Sequence, residues 1–152
     1  MKKLLEAYKE KGLTLGSVES MTGGLFSAKF TEIPGSSAVF KGGIVTYSSE
    51  EKINIVGVKK KTIDKYGVVS EEVAKEMAEL GRKLLNVDVC VSVTGNAGPT
   101  CEPGGKPVGC FYIAVATKNE VVAKAFLKPQ KRNMVRNSAV LAMRDLAHLK
   151  II

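Results

Sequence analysis

The chain has 152 residues, 45% of them hydrophobic and 25% charged, and a formal net charge of +8. Length and composition of this kind describe one globular domain over 1–152, and no run approaches the roughly 18 consecutive apolar residues that a membrane span requires. One histidine and three cysteines exclude a His-rich metal site, zinc-type cysteine pairs and a disulfide framework.

The opening MKKLLEAYKEKG has its apolar positions interrupted by charges, which argues against a secretory leader and for a cytoplasmic protein. Leu4, Leu5 and Tyr8 predict a helix over 2–12 that stops at Gly12. Residues 14–19 predict a strand. A corner at Ser20-Met21-Thr22-Gly23-Gly24 then launches a helix to about Glu32. Pro34 and Gly35 break the chain, and 38–47 (AVFKGGIVTY) predicts a second strand with a bulge or close approach at Gly42-Gly43. Ser48 and Glu51 form a capping-box pattern that opens a short helix with Lys52 in its first turn and Gly57 at its end. Residues 60–66 predict another short helix, closed by Gly67.

Ser70 caps the clearest helix, where Glu71 and Glu72 suit the positive end and Val73, Met77, Leu80 and Leu84 form an apolar stripe. Residues 88–94 (DVCVSVT) predict a strand, and 95–109 a long Gly- and Pro-rich loop of the kind that carries function. Strands at 110–117 and 121–127 predict a hairpin. A last helix over 131–149 turns Met134, Val135, Ala139, Leu141, Ala142 and Leu146 inward. Strands alternating with helices, with one hairpin, predict an α/β fold: a mixed sheet covered by helices on both faces.

Three glycine-rich corners follow apolar strands, at 20–24, 42–43 and 94–109, and ligand crevices of α/β sheets collect such loops. Ser20 is either a helix cap or a nucleophile. With no histidine suitably placed, its candidate bases are Lys52 and Tyr47. A lysine in a helix's first turn meets the positive end of the dipole, which favours the neutral amine, and burial would act the same way. Thr94 could offer its hydroxyl to an oxyanion or a phosphate. Arg132 and Arg136 lie one helical turn apart and could clamp a phosphate or simply face solvent. Cys101 is a rival nucleophile without a partner base, and Cys90 reads as core. The lysines are scattered, with one tight run at Lys59-Lys60-Lys61. The positive charge therefore suits a small phosphorylated ligand better than nucleic acid.

Taken together, ESMTGG (19–24), PGSS (34–37), FKGGIVTYSSEEK (40–52), GVVSEEVAKEMA (67–78), TGNAGP (94–99), GGKPVG (104–109) and the arginine-bearing last helix resemble the C-terminal domain of the CinA competence/damage-inducible family. The resemblance implies a three-layer α/β/α sandwich with a mixed, mostly parallel sheet, assembled as a homo-oligomer, often a dimer. It implies hydrolysis of nicotinamide mononucleotide to nicotinate mononucleotide and ammonia, in pyridine-nucleotide salvage, without metal or cofactor. It assigns the nucleophile to Ser20, the base to Lys52, a proton-relaying tyrosine to Tyr47 and the phosphate-holding arginine to Arg136, or else Arg132. Thr22, Gly23, Gly24, Gly43, Thr94, Gly95, Ala97 and Gly98 would line the substrate site. The chain departs from the family pattern at Met21 (usually Cys), at Asn96 (usually Ile) and at Gln130-Lys131-Arg132 (usually Gly-Asp-Arg). The alternative is a non-catalytic nucleotide-binding or assembly module.

Overall fold

A computed structural model describes all residues from Met1 to Ile152. Helix α1 (Lys2–Lys11) buries Leu4, Leu5 and Tyr8, and Gly12 ends it in the left-handed conformation that closes a helix at least cost. Strand β1 (Leu15–Glu19) is buried throughout. Helix α2 spans only Leu25–Thr31, five residues later than the corner at Ser20 suggests, because Gly23 and Gly24 both take positive φ and turn the chain first. A short 3-10 turn at Ser36–Ala38 precedes β2 (Phe40–Val45), so the strand is shorter than predicted at both ends. The strand has a bulge, but one residue before the expected Gly42-Gly43: Leu15 pairs with Phe40 and Gly16 with Gly42, leaving Lys41 as the extra residue.

Ser48 caps α3 (Ser49–Glu51) by accepting the Glu51 amide, and the chain continues as a wide π-turn over Lys52–Val56. Helices α4 (Lys60–Tyr66) and α5 (Glu71–Leu85) follow, α5 capped by the Ser70 hydroxyl on the Val73 amide. Strands β3 (Val89–Gly95), β4 (Cys110–Ala116) and β5 (Val121–Leu127) and helix α6 (Arg132–Leu149) complete the chain.

The sheet order is β2-β1-β3-β4-β5. Strand β1 is parallel to β2 and β3, whereas β4 is antiparallel to both of its neighbours, so four of the five strands point the same way. On one face α1, α2 and α6 cover Leu15, Val89, Val91, Val93, Phe111, Ile113 and Val115; on the other, α5 covers Val18, Cys90, Ala114 and Ala116. The result is a three-layer α/β/α sandwich, and none of its helices is long and apolar enough to cross a membrane.

Two helices meet the sheet along stripes that coincide only in part with those predicted. In α5 the buried positions are Val73, Ala74, Met77, Ala78 and Gly81, while Leu84 is exposed. The helix comes so close that a Cβ on Gly81 would sit 2.3 Å from Val18 Cγ2. Small side chains therefore face the strands at the closest approach, while Leu80 and Leu85 pack at the margin of the cluster and Leu84 turns outward. In α6 Val140, Met143 and Ala147 are buried with Val135, Ala139 and Leu146, whereas Met134 and Leu141 are exposed.

Candidate active site

The tip of β1 carries Ser20, buried beside β3, whose Val93 carbonyl accepts the Ser20 amide at 3.2 Å. The wide turn that begins at Lys52 sends its side chain under the sheet's edge. There Nζ lies 2.9 Å from Ser20 Oγ and 2.8 Å from the Thr46 carbonyl oxygen. Lys52 is only 1% exposed, and no carboxylate pairs with it. An ammonium stripped of water without a counterion is costly, so burial lowers the Lys52 pKa from 10.5 to about 8. The neutral amine keeps an N–H for Thr46 and has a lone pair to accept the Ser20 hydroxyl proton. A serine hydroxyl against a neutral amine is an arrangement that can activate a nucleophile without histidine.

Glu19, one residue earlier, points to the opposite face of the sheet and is fully buried. Its Oε1 accepts the Thr22 hydroxyl at 2.8 Å and the Phe26 amide at 2.9 Å; its Oε2 accepts the Ser27 amide at 3.0 Å and the Ser27 hydroxyl at 2.6 Å. The first amides of α2 are therefore satisfied by the protein's own carboxylate and do not face a ligand. Within the corner, the Gly23 amide donates to the Ser20 carbonyl, while the amides of Met21, Thr22 and Gly24 have no acceptor in the chain. Sequence reading passed over Glu19 as the end of an apolar strand; the available signal was a carboxylate in a buried strand with hydroxyl residues three and eight positions on.

The other predicted residues are distributed around this pair. Thr22 is buried and its hydroxyl belongs to Glu19. Gly43 leaves room for that network, since a Cβ there would lie 2.2 Å from Ser27 Oγ and 2.8 Å from Ser17 Oγ. Thr94 is buried at the end of β3 and donates to the Val68 carbonyl at 2.9 Å. Gly95 packs under the Met21 side chain, which lies in the core, and Ala97 is buried. Gly98 donates to Asn96 Oδ1 at 3.0 Å, and Asn96 Nδ2 reaches the Lys106 carbonyl, so the Asn96 amide folds its own loop.

Helix α6 fastens both loops. Arg136 donates from Nε to the Met21 carbonyl at 3.2 Å and from Nη2 to the Thr22 carbonyl at 2.8 Å. Arg132 donates to the Gly98 carbonyl and, at 2.8 Å, to the Tyr47 hydroxyl. Tyr47 is 61% exposed, and its phenol is engaged by Arg132 instead of the Ser20–Lys52 pair. A cleft of about 640 Å³ opens between residues 66–69 and the 95–106 loop, with Gly95, Cys101 and Lys106 in its lining; neither Ser20 nor Lys52 lines it. Burial holds the Cys90 thiol up at about 12, as befits a core residue.

The model of the CinA C-terminal domain matches residues 1–150. Over 144 residues the chain is 48% identical to a protein of Thermoanaerobacter sp. (strain X514) named for competence-damage induction, and over 139 residues it is 44% identical to a CinA-like protein of Fervidobacterium nodosum. These alignments cover 95% and 91% of the chain but only 34% of either relative, so the chain spans about a third of the length of the curated relatives it matches. Among solved structures, the competence or damage-inducible protein of Enterobacter asburiae superposes with a TM-score of 0.96 at 27% identity, covering 99% of this chain and 95% of that one. The competence/damage inducible protein CihA of Agrobacterium tumefaciens gives 0.91 at 32% identity, covering 95% and 89%.

Proposed function

Because the chain belongs to the CinA C-terminal domain family, and because its corner holds an unpaired buried amine against a serine hydroxyl, we propose that it is a Ser/Lys amidohydrolase that deamidates nicotinamide mononucleotide. The observation that carries this reading is the 2.9 Å contact between Lys52 Nζ and Ser20 Oγ, in a setting that lowers the amine to about 8.

In the proposed cycle Ser20 Oγ attacks the carboxamide carbon as its proton passes to Lys52 Nζ. The carbonyl oxygen becomes an oxyanion, and the unspent amides of Met21 and Thr22 are the donors nearest in sequence to the nucleophile. Collapse breaks the C–N bond, Lys52 returns the proton to the departing nitrogen, and ammonia leaves an ester on Ser20. Water then attacks that ester with Lys52 as base, freeing nicotinate mononucleotide and the serine hydroxyl. The cationic pyridinium ring makes the carboxamide carbon more electrophilic. The 5′-phosphate would find its positive partners in those guanidinium N–H groups of Arg132 and Arg136 that the loop carbonyls leave free.

Purified chain incubated with nicotinamide mononucleotide is expected to release one ammonia per nicotinate mononucleotide formed, with no added metal. Ser20→Ala should abolish the release while the melting temperature stays within a few degrees of wild type. Undiminished ammonia release by Ser20→Ala would overturn the assignment.

A further inference from the structure

Resting on that reading, we infer that Glu19 is a positioning residue of the reaction, acting through Thr22 to fix the turn that follows the nucleophile. Four observations converge on it. The carboxylate is buried on the face of the sheet opposite Lys52, and all of its close partners are hydrogen-bond donors. It does not serve as the counterion of Lys52, whose lowered pKa has desolvation as its sole cause. It occupies the place an anion would take at the start of α2, so the amides left without an acceptor in this corner are those of the turn itself. Its grip on the Thr22 hydroxyl is matched by Arg136, which holds the Met21 and Thr22 carbonyls.

Peptide planarity converts these grips into an orientation. The N–H of Thr22 is antiparallel to the Met21 carbonyl in the same plane, so a carbonyl turned to Arg136 turns that N–H the opposite way. Glu19 pins the Thr22 side chain and Arg136 pins the peptide before and after it, leaving little freedom for the amide between them. Preorganised donors of this kind act on the developing charge of the transition state without binding the ground-state substrate any tighter. Gly43, with no side chain, makes the space in which Ser17 and Ser27 complete the carboxylate's shell.

The test is the pair Thr22→Val, a near-isosteric change that deletes the hydroxyl, and Thr22→Ser, which keeps the hydroxyl and loses only the methyl group, assayed in the full chain with nicotinamide mononucleotide. Thr22→Val is expected to lower kcat by about 10- to 100-fold, with KM within about 3-fold and the pH midpoint unmoved. Thr22→Ser is expected to keep kcat within about 3-fold of wild type. A wild-type kcat in Thr22→Val overturns the inference. So does a raised KM at constant kcat, the mark of a hydroxyl that touches substrate, and so does an equal loss in Thr22→Ser. Glu19→Gln, which turns one acceptor into a donor facing donors, should in addition speed hydrogen exchange at the Phe26 and Ser27 amides at least about 10-fold. If wild type releases no ammonia, the amidase reading fails and the catalytic role of Glu19 fails with it; unchanged exchange in Glu19→Gln beside an active wild type sinks the positioning role alone.

Discussion

Lys52→Met is expected to lower kcat/KM for ammonia release by about 10³-fold, in the middle of the range that removal of a positioned general base spans. The same residue should write the wild-type pH profile. The amine must be neutral to take the serine proton, and burial brings its pKa to about 8. Activity should therefore climb with pH and level off above about 8, whereas residual activity in Lys52→Met should lack that rise. A flat wild-type profile, or a Lys52→Met enzyme of near wild-type rate, would remove the lysine from the mechanism.

Stability should carry the same signature. Below about pH 8 both folded and unfolded chains hold the proton, and the folded state bears the whole cost of a buried ammonium. Between about 8 and 10.5 the folded chain sheds the proton while the unfolded chain keeps it, so wild-type stability rises with pH; above that window the difference is gone. Lys52→Met has no such group. From pH 7 to pH 10, wild type should thus gain about 2–3 kcal/mol relative to the variant in denaturant unfolding. This difference does not depend on the separate cost of leaving the Thr46 carbonyl without its donor. No relative gain with pH would mean that the amine is solvated.

The Ser20 corner was legible because its pattern is local: a buried strand, a hydroxyl residue and paired glycines at the chain reversal. Lys52 was legible as a residue near a helix start, but its burial was not. The wide π-turn over Lys52–Val56 and the β1–β2 pairing that brings Thr46 beneath it are products of tertiary structure. Glu19 escaped notice for the complementary reason. A carboxylate ending a strand reads as the return to solvent, and only the path of the chain through Gly23 and Gly24 places two helix amides over it. In α5 the helical period was right, and Val73 and Met77 are buried as expected. The stripe is wider, however, and turned toward the small Ala74, Ala78 and Gly81, which the sheet selects for close approach, and Leu84 is left exposed. Tyr47 and Arg132 read as separate candidates on two distant elements, yet they meet through a hydrogen bond across 85 positions of sequence that no periodicity reports.

Gly109→Ala is expected to destabilise the chain by at least about 3 kcal/mol, and its neighbourhood explains why. Gly109 has φ of +88°, and a Cβ would fall 2.2 Å from the Lys128 carbonyl oxygen and 2.4 Å from its carbon, both backbone atoms with no rotamer to yield. The left-handed conformation alone costs a non-glycine residue about 1–2 kcal/mol. Relief by backbone movement would strain two hydrogen bonds, from the Gly109 amide to the Asn96 carbonyl and from the Lys128 amide to the Gly109 carbonyl, each worth about 1 kcal/mol. Gly57→Ala isolates the conformational part, for Gly57 has φ of +91° but nothing within 4 Å of its would-be Cβ. At roughly 2–4 °C per kcal/mol, Gly109→Ala should melt about 6–12 °C below wild type and clearly below Gly57→Ala. Equal melting points for the two variants would show that the 128–129 backbone gives way. If it does not, the loop that returns through Gly109 to the Asn96 turn and the Arg132 clamp must shift instead, and ammonia release should fall with stability.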